Sequence, residues 1–317
     1  MDVHRLRILR ELADRGSVTA AAAALHVTPS AVSQQLKALS RETGLELTAP
    51  DGRGLRLTAA GEAVVAGAQE VLDALGRLDR TTAGLREEPR GTVRVVFFPS
   101  AARLLLPGLL HRAARHEGLT LSCRDLDLRP DEVPAAAADA DVVVTHHDER
   151  LDPFAGGRLR RHPLLREPLD VALPPGHPLA ARDAVGLDDL VDADWISVAV
   201  GWPVDDVLNS LALVTGTVPR VVQRINDFSV TEELVARGHG VALLPRWSTD
   251  HRDGTRLALR PLAGVRAARL VRAVTRGEVT RPAVRLVLDE LAAEAAAVTG
   301  GAARASQSRR VTLSSPS

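Results

Sequence analysis

The sequence predicts an α/β protein with a small N-terminal all-α head, one long helix, and a two-lobed α/β domain. Three observations point there. Apolar residues recur at helical spacing in the stretches before residue 88. Pro89-Arg90-Gly91 then breaks the pattern. Beyond it, short apolar runs alternate with helical stretches, as in parallel strands joined by crossover helices. A chain of 317 residues, 45% hydrophobic and 25% charged, is long enough for two domains or more.

The head begins with an apolar stripe, Leu6, Leu9, Leu12 and Ala13, that stops at Arg15-Gly16, where glycine can adopt the left-handed conformation that ends a helix. Ser17 or Thr19 can cap the next helix, whose alanines add almost no bulk and let two helices cross closely. His26-Val27-Thr28 is a short connector; Thr28 supplies an N-cap hydroxyl and Pro29 suits the first helical position. Ala31, Val32, Leu36 and Leu39 then face inward, leaving Ser30, Ser33, Gln34 and Lys37 outside. This is the geometry of a helix-turn-helix, whose second helix enters the major groove of DNA. Leu45-Glu-Leu-Thr48 and Gly54-Leu-Arg-Leu-Thr58 read as a hairpin with its tip at Asp51-Gly52, from which Arg53 and Arg56 project.

Val64, Ala68, Val71, Leu75, Leu78, Thr82 and Leu85 follow a 4,3,4,3,4,3 spacing, one seam along a helix of about six turns. The seam either lies on its own domain or pairs with that of a second subunit.

Past the break, strands are expected at Val93–Phe97, Leu119–Leu126 and Asp141–Thr145, with helices at Leu104–His116 and Asp131–Ala138. A second set runs from Leu169 through Trp195–Val200, Val204–Leu213, Arg220–Gln223, Val230–Arg237 and Gly240–Leu244. A strand at Arg269–Val274 and a helix at Ala283–Val298 return to the first set.

The run from Gly16 to Leu47, followed by Gly52–Val65, resembles the winged helix-turn-helix of LysR-type transcriptional regulators through a spaced set that includes Gly16, Ser17, Thr19, Ala21, Ala22, Leu25, Val27, Ala31, Val32, Ser33, Gln35, Leu36, Leu39, Gly44, Leu57, Thr58, Gly61 and Glu62. Val18 stands where the family commonly has an aromatic residue, and Leu47-Thr-Ala-Pro50 lacks an arginine usual at the entry to the wing. Leu104–Leu110, Leu173–Leu190 and Glu232–Pro245 resemble segments of the family's effector domain.

The resemblance implies a winged helix-turn-helix over residues 1–58, a linker and dimerisation helix over 59–88, and a two-lobed periplasmic-binding-protein-like effector domain over 89–298. Lobe I is expected at about 91–163 and 266–298 and lobe II at about 164–265, with 299–317 a disordered tail. The DNA-binding set is Ser17, Thr19, Thr28, Pro29, Ser30, Ser33, Gln34, Lys37, Arg53 and Arg56. Gln34, Ser30 and Ser33 are candidates for base edges, while Thr28, Lys37, Arg53 and Arg56 suit phosphates. Ser33 could instead bond back to its own helix. Dimerisation falls to Val64, Ala68, Val71, Leu75, Leu78 and Leu85. The effector cleft is expected at Pro99, Ser100, Ala101, Thr145, His146, Val200, Gly201, Trp202, Asp227 and Phe228, with Ser100 either a ligand contact or a helix cap. Partners are then double-stranded promoter DNA, a small-molecule effector, a second or further copies in a dimer or tetramer, and RNA polymerase.

Charge and composition set the bounds on this reading. Net charge is zero, so no global basic field announces nucleic acid, and residues 17–58 hold four basic side chains against three acidic ones. Cys123 is the sole cysteine, which excludes an intramolecular disulfide and a thiolate zinc cluster. No apolar run spans a membrane and no signal sequence is evident, so a cytoplasmic protein is expected. His146-His-Asp-Glu149 holds ligand-type residues, but neighbours in a loop do not converge on one metal. No nucleophile elbow or phosphate loop occurs, so neither an enzyme nor a cofactor is expected. The competing class is a cytosolic small-molecule-binding or enzymatic α/β protein with a helical dimer module.

Overall fold

The computed structural model describes residues 1–51, 54–83, 89–150, 152–154, 159–216, 218–250, 254–264 and 266–312. Helix α1 spans Val3–Arg15 and ends at Gly16 with φ 69°, the left-handed cap expected of it. Helix α2, Val18–Leu25, takes its cap from Ser17, whose Oγ accepts the Ala20 N–H at 3.1 Å. Helix α3, Pro29–Thr43, starts as its sequence dictates, with Thr28 Oγ1 accepting the Ala31 N–H at 3.2 Å and proline in the first turn. Leu6, Ile8, Leu9, Leu12, Ala22, Val32, Leu36 and Leu39 form the head core. The wing pairs β1, Thr48–Asp51, antiparallel with β2, Gly54–Leu57. Its first strand begins later than the apolar alternation suggests, because Leu47 is drawn fully into the head core.

Helix α4 spans Ala59–Ala83. Thr58 locks its start: its hydroxyl accepts the Gly61 N–H at 3.0 Å and donates to the Glu46 carbonyl at 2.6 Å. The expected dimer seam divides. Val64 and Ala68 pack with Val65 into the head's own core, since the first turns of α4 lie against α1. Val71 and Leu78 are 43% and 60% exposed, and Leu75 is half-buried. Leu85 lies outside the described residues.

The α/β domain runs β3 (Gly91–Phe97), α5 (Pro99–Ala113), β4 (Leu119–Asp125), α6 (Val133–Asp139), β5 (Val142–Asp148), β6 (Arg160–Leu173), β7 (Asp194–Ser197), α7 (Pro203–Thr215), β8 (Arg220–Arg224), α8 (Phe228–Ala236), β9 (Val241–Pro245), β10 (Ala258–Arg260), β11 (Ala268–Thr275) and α9 (Pro282–Thr312). The strand path is β4-β3-β5-β11-β6-β9-β7-β8, with β10 on β6. The pairs β3–β4, β3–β5, β7–β8 and β7–β9 are parallel. Those made by β6 and β11 are antiparallel, which the uniform alternation of the sequence does not show. The reason is topological: β6 serves both lobes, pairing β11 through residues 160–168 and β9 through 169–172. The two halves of the sheet therefore meet near Pro168-Leu169, against an expected boundary at about 164. Valines and leucines of β3, β5 and β11 pack on α5 and α9, and those of β6 and β9, with Trp195 of β7, pack on α7.

Helix α9 continues to Thr312, so most of the expected tail is helical. Alanine and arginine dominate residues 302–310, and both favour helix. Residues 313–317 lie outside the described residues.

The head docks on lobe I through charges. Arg276, just past β11, donates from Nε to Asp14 Oδ2 at 2.7 Å and from Nη1 to Glu11. Arg15 reaches Asp139 of α6 at 2.7 Å. Asp73 of α4 accepts from Arg160 at 2.7 Å and from the Glu278 N–H at 3.1 Å. Burial alone would raise the carboxyls of Asp73 and Glu11, but these hydrogen bonds outweigh it and hold both below the usual carboxylate range.

A Cβ on Gly61 would collide with the Leu47 carbonyl oxygen, whereas one on Gly67, in the same helix, meets open space. Gly61→Ala is therefore expected to destabilise the head by about 1–3 kcal/mol, and Gly67→Ala to leave it unchanged or stabilise it by up to ~1 kcal/mol. Urea titrations of the two variants check the contrast.

Candidate functional site

Two surfaces emerge. The first is the outer face of α3. Its apolar side is consumed by the head core, and Thr28, Pro29, Ser30, Gln34 and Lys37 stand exposed, with Arg56 exposed on the wing beside them. Thr19 is exposed as well, while Ser17 is half-buried and spends its hydroxyl on the α2 cap. Ser33 takes the alternative course: its Oγ donates to the Pro29 carbonyl at 3.0 Å within its own helix. Arg53 lies outside the described residues. Gln35 faces the other way and accepts from Arg5 Nε at 3.0 Å, which aligns α3 on α1.

The second surface is a cavity of about 450 Å³ between the lobes. Lobe I contributes Phe98, Pro99 and Ser100 at the start of α5, Asp125 and Asp127 after β4, and His146 of β5. Lobe II contributes Val198, Trp202, Asn226, Asp227 and Phe228, and Arg269 of β11 reaches in from the shared sheet. Pro99, Ser100, His146, Trp202, Asp227 and Phe228 are thus brought together as expected.

Four expected residues are not. Ala101 is packed into the lobe I core, where its position in the first turn of α5 turns it. Thr145 is buried among strands and outside the lining, since neighbours on a strand face opposite ways and His146 takes the cleft side. Val200 is 70% exposed and Gly201, at φ 82°, forms the turn before α7; both stand outside the cavity.

Arg269 is the residue that sequence reasoning missed. It is 1% exposed and opposite Glu167, itself 0% exposed, in the β11–β6 register. Its Nε and Nη2 donate to Glu167 Oε2 at 2.9 and 2.7 Å, and Nη2 also donates to Ser100 Oγ at 2.9 Å. Glu167 Oε1 accepts the Trp247 N–H at 3.3 Å. The guanidinium lies 4.9 Å from the centroid of Phe98 and 5.8 Å from that of Phe228, one ring from each lobe. Ser100 is thus neither the helix cap, a position held by Phe98, nor a free hydroxyl. No local signal separates Arg269 from any other charged residue in a strand; only the pairing of β6 with β11 reveals it.

His146 packs against Phe98 at 4.3 Å with the rings tilted by 52°, and His147 meets Phe154 at 6.0 Å on the opposite face of β5. That strand runs on to Asp148, so this stretch is not the loop expected of it. Burial, then the charge of Arg269, pushes the His146 imidazole well below its ordinary range. Among the described residues no group of three or more potential ligands could hold a metal ion. Cys123 is half-buried against the lobe I core, and burial raises its thiol. Among the described residues no helix is long and apolar enough to cross a membrane.

A helix-turn-helix head followed by a two-lobed α/β domain with a ligand-sized cleft defines a DNA-binding protein with a sensor domain, and the comparisons with known proteins agree. Residues 3–62 match the family model for bacterial regulatory helix-turn-helix proteins of the lysR family, and residues 86–296 match that for the LysR substrate binding domain. The chain is 32% identical over 269 residues to the small neutral protease regulatory protein of Streptomyces coelicolor, covering 82% of each. It is 27% identical over 289 residues to the Hca operon transcriptional activator HcaR of Escherichia coli, covering 90% of this chain and 95% of HcaR. A full-length OxyR variant from Pseudomonas aeruginosa has the same fold, with a TM-score of 0.61 at 22% identity over 93% of this chain and 97% of that one. The chain belongs to the LysR family: it is a DNA-binding transcriptional regulator with an effector-binding domain.

Two outcomes are expected. Glu167→Ala leaves Arg269 buried without its counter-ion and should cost about 3–5 kcal/mol in a denaturant titration. His146 is held neutral in the fold but takes a proton once unfolded, so stability should be full above pH ~6.5 and fall as pH drops toward its depressed folded value. His146→Gln should flatten this fall, by at most ~1.4 kcal/mol per pH unit, in melting curves between pH 7 and 5.

Proposed function

We propose that α3 lies in the major groove, with Gln34 and Ser30 toward base edges and Thr28, Lys37 and Arg56 toward phosphates, while a small molecule in the inter-lobe cleft modulates promoter binding or activation. The observation that carries this reading is the division of α3: its apolar face is spent on the head core and its polar face is exposed beside the wing. Two copies pair through the exposed Val71 and Leu78 of α4 with the half-buried Leu75 between them, and so present two reading helices to a two-fold site. The whole acts in the cytoplasm, without catalysis, by changing DNA bending or contact with RNA polymerase.

Coupling between cleft and head follows β11. Arg269 at its start touches the cavity, and Arg276 just beyond its end clamps Glu11 and Asp14 of α1. They are seven positions apart along the strand, ~23 Å at ~3.3 Å per residue. A ligand that moves Arg269 therefore acts on the strand that holds the head, and a coupling of about 1–3 kcal/mol suffices for a switch.

In gel retardation the protein should shift its own upstream DNA with steep salt dependence. Gln34→Ala should weaken that shift about tenfold or more with little change in stability. Lys37→Ala should weaken specific and random DNA alike and reduce the salt slope by about one. Equal retardation of random and upstream DNA by the parent protein would refute sequence-specific reading.

A further inference from the structure

The charges that reach the cleft can be followed one by one. Arg269 is neutralised by Glu167, and two of its three nitrogens are committed there and to Ser100. Arg103 stands 3.6 Å from Glu232, which Arg256 also holds at 2.6 Å. Asp227 is spent at the start of α8, accepting the Ser229 N–H at 2.8 Å. Two carboxylates remain, both at the exit of β4. The Asp125 side chain has no hydrogen-bond or ion-pair partner among the described residues, and Asp127, which feels the charge of Arg269 without pairing to it, meets the Asn226 side chain from the opposite lobe, itself anchored by the Ala199 N–H at 2.8 Å. Burial against the cleft raises the Asp127 carboxyl, outweighing the Asn226 hydrogen bond and the charge of Arg269, while each aspartate keeps part of its surface exposed.

The rest of the wall suits a cation. Phe98, Trp202 and Phe228 are three of the seven aromatic residues in the chain, and all line this one cavity. Ring faces attract ammonium groups, most strongly where water is excluded. A plain carboxylate would meet two carboxylates that have no ion pair, while both guanidiniums already hold a carboxylate of the protein. His146 Nδ1 and Arg269 Nη1 are buried without a partner, so a hydroxyl or carbonyl on the ligand has groups to meet as well.

We propose that the cleft takes an organic cation, a protonated amine on an aromatic or apolar body, held by Asp125 and Asp127 on one lobe and by Trp202 and Phe228 on the other. The cavity of about 450 Å³ lies in the range of small-molecule sites. The inference rests on the reading of this cleft as the effector site, and adds the charge of the effector. Such a ligand bridges the lobes where the Asp127–Asn226 contact now does, so binding and lobe closure are the same event.

The test uses three probes with one phenylpropyl body: 3-phenylpropylamine, 3-phenylpropanol and 3-phenylpropanoate, titrated into the full-length protein by calorimetry at near-neutral pH. The amine should bind about tenfold or more tighter than either of the others. The double variant Asp125→Asn, Asp127→Asn should lose that preference while melting like the parent, and Trp202→Leu should weaken all cleft binding. Tighter binding of the propanoate, abolished by Trp202→Leu, would keep the cleft as the ligand site and overturn the charge assignment. Failure of the amine to bind, or binding indifferent to the aspartate pair, would overturn it too. Amine binding by a protein that ignores its upstream DNA would sustain the assignment and sink the regulator's proposed mechanism instead.

Discussion

The ion pair between Arg269 and Glu167 sits where β6 passes from one lobe to the other, and the cleft is organised around it. Two charges at this depth are tolerable only if nearly every donor and acceptor is met, which is why Ser100 and the Trp247 N–H converge on the pair and an aromatic ring from each lobe lies beside it. Such a pair contributes geometry more than net stability, since an apolar replacement of equal volume could match its energy but could not point hydrogen bonds at both lobes. It fixes the start of α5, the floor of the cavity and the junction of the two sheets with one set of contacts.

A similar device recurs at the other end of β11. Glu11, Asp14 and Asp73 are 7%, 7% and 3% exposed, and Arg276, Arg15 and Arg160 hold them. Head and linker are thus fastened to lobe I by buried carboxylates rather than by an apolar seam. Charged junctions of this kind depend strongly on distance and direction, whereas apolar contacts tolerate sliding. In the proposed mechanism a small displacement of β11 registers in the head, the route from the two-lobed sensor to the proposed DNA-reading face.

The head was largely legible because its signals are local. Glycine at 16, the Ser17 and Thr28 caps, Pro29 and the alanine run each act within one turn of helix, and the structure uses them as the sequence suggests. Ser33 was legible only as two alternatives, since a hydroxyl on a helix surface can turn to its own carbonyl or to solvent. The seam of α4 misled for a related reason. Helical spacing shows that Val64, Ala68, Val71 and Leu75 share a face, but not that α1 covers the first two, leaves Val71 exposed and leaves Leu75 half-buried.

By itself the sequence determined the helix boundaries of the head, the change to an α/β pattern after Pro89, and the clustering of Ser100, Trp202 and Phe228 at strand ends near helix starts. Tertiary structure alone decided what those residues meet. Glu167 and Arg269 are 102 positions apart, beyond the reach of any local spacing rule, and they become neighbours only when β6 and β11 pair in one register. The same holds for Arg276 with Asp14 across 262 positions and for the carboxylates that face the aromatic wall. Propensity and capping act over a few residues, whereas the sign of the charge in a cleft is a sum over chain segments brought together by folding.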